Sequence, residues 1–271
     1  MEHCDDGSDE QDCGILIVKS GYKKSLTPVP QDGKRLLVNV SLNIIDILEI
    51  NELMQTFKVK LSITREWFDR RLTYKQLRED SNMNALLTQE RESIWFPRLI
   101  FSNIKTSTSY EPTDVEFTLN VISKNGFSYE VRDNTHFFSG SENVLISTRE
   151  FSVEWICHYR LHWYPFDTQT CHMEMPSGRK LTEQKPVRLD YSRDISLDRY
   201  TLSKIQMCQS AVDVTTVKVT LGRPIISNIL TVFIPTTTLL AISFVSRFFV
   251  KNYFDLTIMV NLTILLVLAT L

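Results

Sequence analysis

Apolar and polar residues alternate over long stretches of this chain. Val38, Val40, Leu42 and Ile44 alternate with polar partners. Phe57, Val59, Leu61, Ile63 and Trp67 keep the same period of two, with one gap at Arg65. Side chains two apart share a face of an extended strand, so each run predicts a strand with one buried face. Further strands are predicted at 115–123, 127–132, 148–157, 186–191, 199–207 and 213–222. Residues 72–92 are polar and fit either helix or loop. Many strands, turn residues between them and little helical periodicity predict an antiparallel, Ig-like β-sandwich.

The pattern changes at residue 225. Residues 225–246, IISNILTVFIPTTTLLAISFVS, carry no charge over twenty-two positions, the length of a helix that crosses a bilayer. A buried core helix is the alternative, kept open by Ser227, Asn228, Thr231, Thr236, Thr237 and Thr238. Residues 256–271 are a second uncharged run, read as the start of a further span. The chain thus divides into an N-terminal segment 1–14, a linker 15–35 with Pro28, Pro30 and Gly33, a sandwich 36–223 and a membrane region 224–271. Met1 is followed by acids rather than by a basic and then apolar stretch, so no secretory signal is visible. Both ends are expected to lie inside a longer polypeptide.

Composition narrows the classes. With 43% hydrophobic and 23% charged residues the chain suits globular structure. A net charge of -2 and no basic stripe exclude a nucleic-acid partner. No nucleophile–base set, nucleotide loop or complete metal site is present, so neither an enzyme nor a cofactor is expected. Five cysteines leave at least one unpaired. Asn39-Val40-Ser41 is an N-glycosylation signal; Asn261-Leu262-Thr263 also matches but falls in the second apolar run.

The strongest motif runs from Cys157 to Cys171, enclosing thirteen residues with Tyr164-Pro165-Phe166-Asp167 inside. It resembles the signature loop of the Cys-loop receptors, with Tyr159 where an aliphatic residue is usual. Trp67-Phe68-Asp69-Arg70-Arg71-Leu72 resembles the family's Trp-x-Asp-x-x-Leu, and Ile94-Trp95-Phe96-Pro97-Arg98-Leu99 its Trp-x-Pro-Asp segment, with Arg98 for the usual Asp. Pro235 sits mid-span, as in the family's first membrane helix, and Asn261 to Thr270 resemble its pore-lining helix. The resemblance covers residues 36–271 and implies a ligand-gated ion channel of five like subunits. It would lie in the plasma membrane as a multi-pass protein, with residues 1–223 outside, an agonist lodged between sandwiches and an inorganic ion passing through the pore.

The resemblance also implies residue roles. Cys157 and Cys171 would form a disulfide around the Tyr164–Pro165 turn; closing a loop of this size restricts the unfolded chain by on the order of 3 kcal/mol. Leu266 would be the hydrophobic gate, with Met259 and Thr263 lining the lumen; five leucines around a narrow pore exclude water. Arg223 would couple sandwich to pore by pairing with Glu49 or Glu52 and with Asp167, since an arginine tucked against the membrane needs carboxylate partners. The plainer readings are an ordinary structural disulfide, a packing leucine and an arginine snorkelling at the membrane edge.

The positions of the family's aromatic amine cage hold Ser62, Ser102, Gly178 and Ala211, and Cys208 stands alone where vicinal cysteines are usual. A cage without aromatic faces does not attract an amine cation, so the agonist is expected to be another small molecule or the proton. His158, His162 and His172 around the Cys loop titrate in the right range, although wet-loop histidines are the plain alternative. At the pore mouth the anion motif Pro-Ala-Arg is missing and Asp255 is present, which favours cations. Cys4 to Cys13 resembles the end of an LDL-receptor class A module, with Asp9 and Glu10 as remnants of a calcium site; an unrelated acidic tail is the alternative. A secreted ligand-binding homologue and a non-conducting accessory or adhesion subunit are the rival functions.

Overall fold

The computed structural model describes residues 14–30, 33–98, 100–105, 111–112, 118–122, 136–176, 178–179, 181–191, 197, 199–209, 214–246, 248 and 254–270. These fall into two compact units. The first comprises 1–158, 171–195 and 205–219; the second comprises 159–170, 196–204 and 220–271.

The strands are β1 Leu16–Val18, β2 Leu36–Asn51, β3 Thr56–Trp67, β4 Leu72–Lys75, β5 Glu111–Pro112, β6 Thr118–Ile122, β7 Phe137–Ser139, β8 Val144–Ile156, β9 Thr168–Pro176, β10 Gly178–Arg179, β11 Thr182–Tyr191, β12 Thr201–Gln209 and β13 Val214–Gly222. The largest sheet has the order β10-β11-β2-β3-β8-β5, with β6 also on β8; smaller sheets run β1-β4-β7 and β12-β13-β9. The chain is mainly β, with sandwich-like sheets. One pair departs from the antiparallel expectation: β11 runs parallel to β2, with Thr182 beside Leu36.

The register explains the core of the first unit. Ile44 pairs with Leu61 and Leu42 with Ile63; Phe57 pairs with Trp155 and Leu61 with Phe151. One face of each strand is thereby filled with large apolar groups. Trp155 packs on Phe57 and Phe101 at ring-centroid distances of 5.8 and 5.4 Å. Val217 and Val219 on β13 and Met173 and Met175 on β9 are likewise buried. Each such side chain stabilises by roughly 1.5–3 kcal/mol.

Several expectations are corrected. The apparent gap at Arg65 is a buried position. Residues 72–92 are neither one helix nor one loop; they hold β4 and lead into a short helix, Thr88–Ser93. β9 was absent from the expected strands, although Gln169, Cys171, Met173 and Met175 alternate inward along it. The 15–35 stretch is bolted down: β1 pairs with β4, and the Tyr22 hydroxyl donates to Asp69 Oδ2 at 3.0 Å and accepts from the Trp95 amide at 2.8 Å. Expected strand 127–132 lies outside the described residues.

Among the described residues of the second unit one helix, Ile225–Ser246, is long and apolar enough to cross a membrane, and nearly all of it is exposed. That exposure argues against a core helix. Residues Ile229–Phe233 widen into a π-turn just before Pro235. Proline lacks an amide donor and clashes with the carbonyl four residues back, and the wider turn relieves both. The hydroxyls of Thr231, Thr236, Thr237 and Thr238 donate to carbonyls three or four residues back. These four hydroxyls are thus satisfied within the helix, as an apolar medium requires, whereas the side-chain nitrogen of Asn228 has no partner among the described residues. A second apolar helix covers Phe254–Thr270.

Candidate functional site

Cys157 follows the end of β8 and Cys171 lies on β9; the two are disulfide-bonded, and Cys208 is free and exposed. Between them, within the second unit, the loop folds back on Arg223, the residue that follows β13. Arg223 Nε donates to Asp167 Oδ1 at 2.7 Å, with both side chains only 4% and 3% exposed. Arg223 Nη2 donates to the Tyr200 hydroxyl at 2.8 Å. The guanidinium sits 4.8 Å from the Tyr164 ring and 4.5 Å from the Tyr200 ring. Gln169 Nε2 donates to the other Asp167 oxygen, and Gln169 holds the Arg160 amide and carbonyl at 2.9 and 2.8 Å. The ion pair is therefore desolvated, hydrogen-bonded at both ends and flanked by aromatic faces, the conditions under which a buried pair is tolerated. Trp163 and Phe166 of the same loop are exposed, as is part of Tyr164. Pro165 is buried and its peptide bond to Tyr164 is cis.

Neither Tyr200 nor Gln169 is among the site residues the sequence predicts. Tyr200 carried no sequence signal, being a lone tyrosine before β12. Gln169 was visible only as a buried polar residue in the strand phase of Cys171.

On the second apolar helix, Asp255, Met259, Thr263 and Leu266 are exposed, Leu266 at 67%. At 100° per residue they fall within an arc of about 80°. Ile264 is buried, and Asn261 bonds to Ser243 and Ser246 of the first helix. The four candidate pore residues thus share the face turned away from the neighbouring helix.

The expected ligand positions are polar where they are described. The Ser102 hydroxyl donates to Glu174 Oε2 at 3.1 Å, and the Ser102 amide donates to the Glu174 carbonyl at 3.1 Å. Asn103 ties down the same stretch, donating to the His172 carbonyl and accepting from the Glu174 amide. Ser62 lies opposite Glu150 in the β3–β8 register, where Lys60 and Glu150 pair at 3.0 Å and the Thr64 and Thr148 hydroxyls bond at 2.9 Å. Gly178 begins β10. Ala211 lies outside the described residues, as do Cys4, Asp9, Glu10 and Cys13.

Glu49 and Glu52 belong to the first unit; Glu49 stands opposite Lys58 near the β2–β3 turn, and Glu52 is in the turn, its carbonyl accepting from Gln55. Asn39 is half-buried on β2. His158 and His172 belong to the first unit and His162 to the second. No group of three His, Cys, Asp or Glu side chains able to hold a metal occurs among the described residues.

The family described as "Neurotransmitter-gated ion-channel ligand binding domain" matches residues 15–220. Among curated proteins, the chain is 26% identical to a glutamate-gated chloride channel of Drosophila melanogaster, over 86% of this chain and 50% of that one. It is 24% identical to the acetylcholine receptor subunit delta of Xenopus laevis, over 68% of this chain and 31% of the relative. It is 25% identical to a proton-gated ion channel of Gloeobacter violaceus, over 54% of this chain and 34% of the relative. The chain therefore spans a third to a half of the length of these relatives.

Proposed function

The chain belongs to the neurotransmitter-gated ion-channel ligand-binding family, and on that footing we propose that it is one subunit of a pentameric channel, assembled with four further like subunits. An agonist between neighbouring sandwiches opens the pore. The observation that carries this reading is the buried Arg223–Asp167 pair. It ties the Cys loop to the residue from which the membrane helix starts, so a displacement of either is felt by the other. The shared exposed face of Asp255, Met259, Thr263 and Leu266 supports a pore-lining helix, with Leu266 as the dewetting gate and Asp255 as a ring that favours cations.

The ligand face supports a different chemistry from an aromatic cage. Ser102 with Glu174, and Ser62 beside the Lys60–Glu150 pair, offer hydroxyls and charges in place of rings. The agonist is a small polar molecule or the proton rather than a quaternary amine.

The test is expression of the complete coding sequence in oocytes, with perfusion of amino acids, amines and acidic buffer. The expected result is a current lost in Asp167→Asn at unchanged surface expression. Currents gated at submicromolar acetylcholine would refute the ligand reading, and surface pentamers that never conduct would refute the channel reading.

A further inference from the structure

A groove of about 490 Å³ opens on the first unit, and none of the positions discussed for agonist binding lines it. Its apolar part includes Val29, Leu37 and Phe68, which are 37%, 47% and 39% exposed. Its charged part is Lys34, Arg35 and Arg70. No carboxylate lines it among the described residues, and neither Arg35 nor Arg70 has an ion-pair or hydrogen-bond partner among them. Exposed apolar surface beside convergent polar groups marks ligand sites, and the volume falls within the usual range of roughly 300–1,000 Å³.

The walls are already in place. Arg71 is clamped by Asp69, through Nε at 2.8 Å and Nη2 at 2.6 Å, and its Nη1 donates to the Leu26 carbonyl at 2.8 Å. Its guanidinium stacks 4.4 Å over the Tyr22 ring. The segment entering the groove at Pro28 is thus fastened to the turn that carries Arg70. Pro28 and Pro30 fix their own backbone torsions. A ligand need not order this wall, which removes a main cost of binding.

The chemistry of the lining selects its occupant. Arg35 and Arg70, with no carboxylate among the described lining residues, repel an amine. A bare inorganic anion would leave Val29, Leu37 and Phe68 uncovered. Two guanidinium groups without a partner among the described residues match the planar fork of a carboxylate. We propose that this groove binds a small amphipathic carboxylate, an aryl or short alkyl acid, with its acid on Arg35 and Arg70 and its apolar body on Leu37 and Phe68. The site is independent of the channel reading and holds whether or not the pore conducts.

The experiment is equilibrium dialysis of 2-naphthoate against the purified chain in nanodiscs of zwitterionic lipid, with empty nanodiscs subtracted. The expected result is saturable one-to-one binding. The Arg35→Gln/Arg70→Gln variant and the Leu37→Asp variant should each weaken it about tenfold or more, as should replacing the probe by neutral 2-naphthamide. Raising the salt should also weaken it, because exposed charges are screened. Equal binding of 2-naphthamide overturns the proposal, and so does 2-naphthoate binding that neither variant changes. Should Leu37→Asp fail to fold by circular dichroism, the arginine variant decides alone, since it alters only exposed side chains.

Discussion

Two arginines are buried among the described residues, and their surroundings are opposites. Arg223 has a carboxylate at 2.7 Å, a phenol at 2.8 Å and two aromatic faces. Arg65 has the Pro97 carbonyl at 2.8 Å and the Phe96 ring at 4.4 Å, and its Nε has no partner. Burial, and then the like charge of Arg149, bring its pKa down to about 10. A charge that is fully compensated is costly to disturb on either side. A charge that is only tolerated acts as a strut, here holding the Phe96–Pro97 segment against β3. The contrast separates a compensated ion pair from a cation that serves packing.

The largest effect expected from this contrast is at Asp167. Asp167→Ala leaves Arg223 buried without its counter-charge, which costs roughly 3–5 kcal/mol. For about 200 residues this lowers the unfolding midpoint by on the order of 10 °C. Tryptophan fluorescence during heating of the detergent-solubilised chain reads it. A loss within error of zero would make the pair an ornament and erase the distinction from Arg65. Tyr200→Phe keeps the ring over Arg223 and removes only the hydroxyl. A hydrogen bond to a charged group contributes roughly 1.5–3 kcal/mol, so its midpoint should fall by less than that of Asp167→Ala. A larger fall would place the anchor of Arg223 on Tyr200 rather than on Asp167.

The two sites also differ in how far the sequence disclosed them. Cys157, Asp167 and Arg223 are legible because a spaced motif and a family resemblance mark them. In the largest sheet β2 and β3 are legible from period-two alternation, whereas β5 and β10 have two residues each, too few for any period. Arg65 breaks that alternation in the sequence because it is polar, yet it keeps its inward phase in β3. β4 is four residues long, too short for a period to emerge. β9 is hidden because polar Gln169 and Cys171 fill two of its inward positions and interrupt the apolar alternation. The Tyr22 clasp joins residues 47 and 73 positions apart, and no local pattern encodes such a contact. Tyr200 was illegible for the same reason: only the fold brings it to Arg223.

The smallest effect is expected at Arg65, and its sign is the sharper test. Arg65→Met keeps most of the volume and removes a desolvated charge, which stabilises. It also strands the Pro97 carbonyl and loses the contact with Phe96, which destabilises by a comparable amount. The net change should lie within about 1.5 kcal/mol of zero, in contrast to the several lost at Asp167. The dependence on pH follows from the depressed pKa. Below about 10 the guanidinium is charged in both the folded and unfolded chain, so the folded state bears its full desolvation cost. As pH rises above about 10, the folded chain releases a proton that the unfolded chain still holds, and stability due to this group rises. Tyr22 acts in the opposite sense. Burial, the largest influence on its phenol, pushes its pKa up to about 12. Its contribution is complete below pH 10 and is lost as pH rises towards 12. Wild type should therefore gain on Arg65→Met between pH 9.5 and 11, both measured in a Tyr22→Phe background to remove the opposing titration. A midpoint difference that stays flat across that range would mean Arg65 is solvated or paired in solution, and the contrast between the two arginines would collapse.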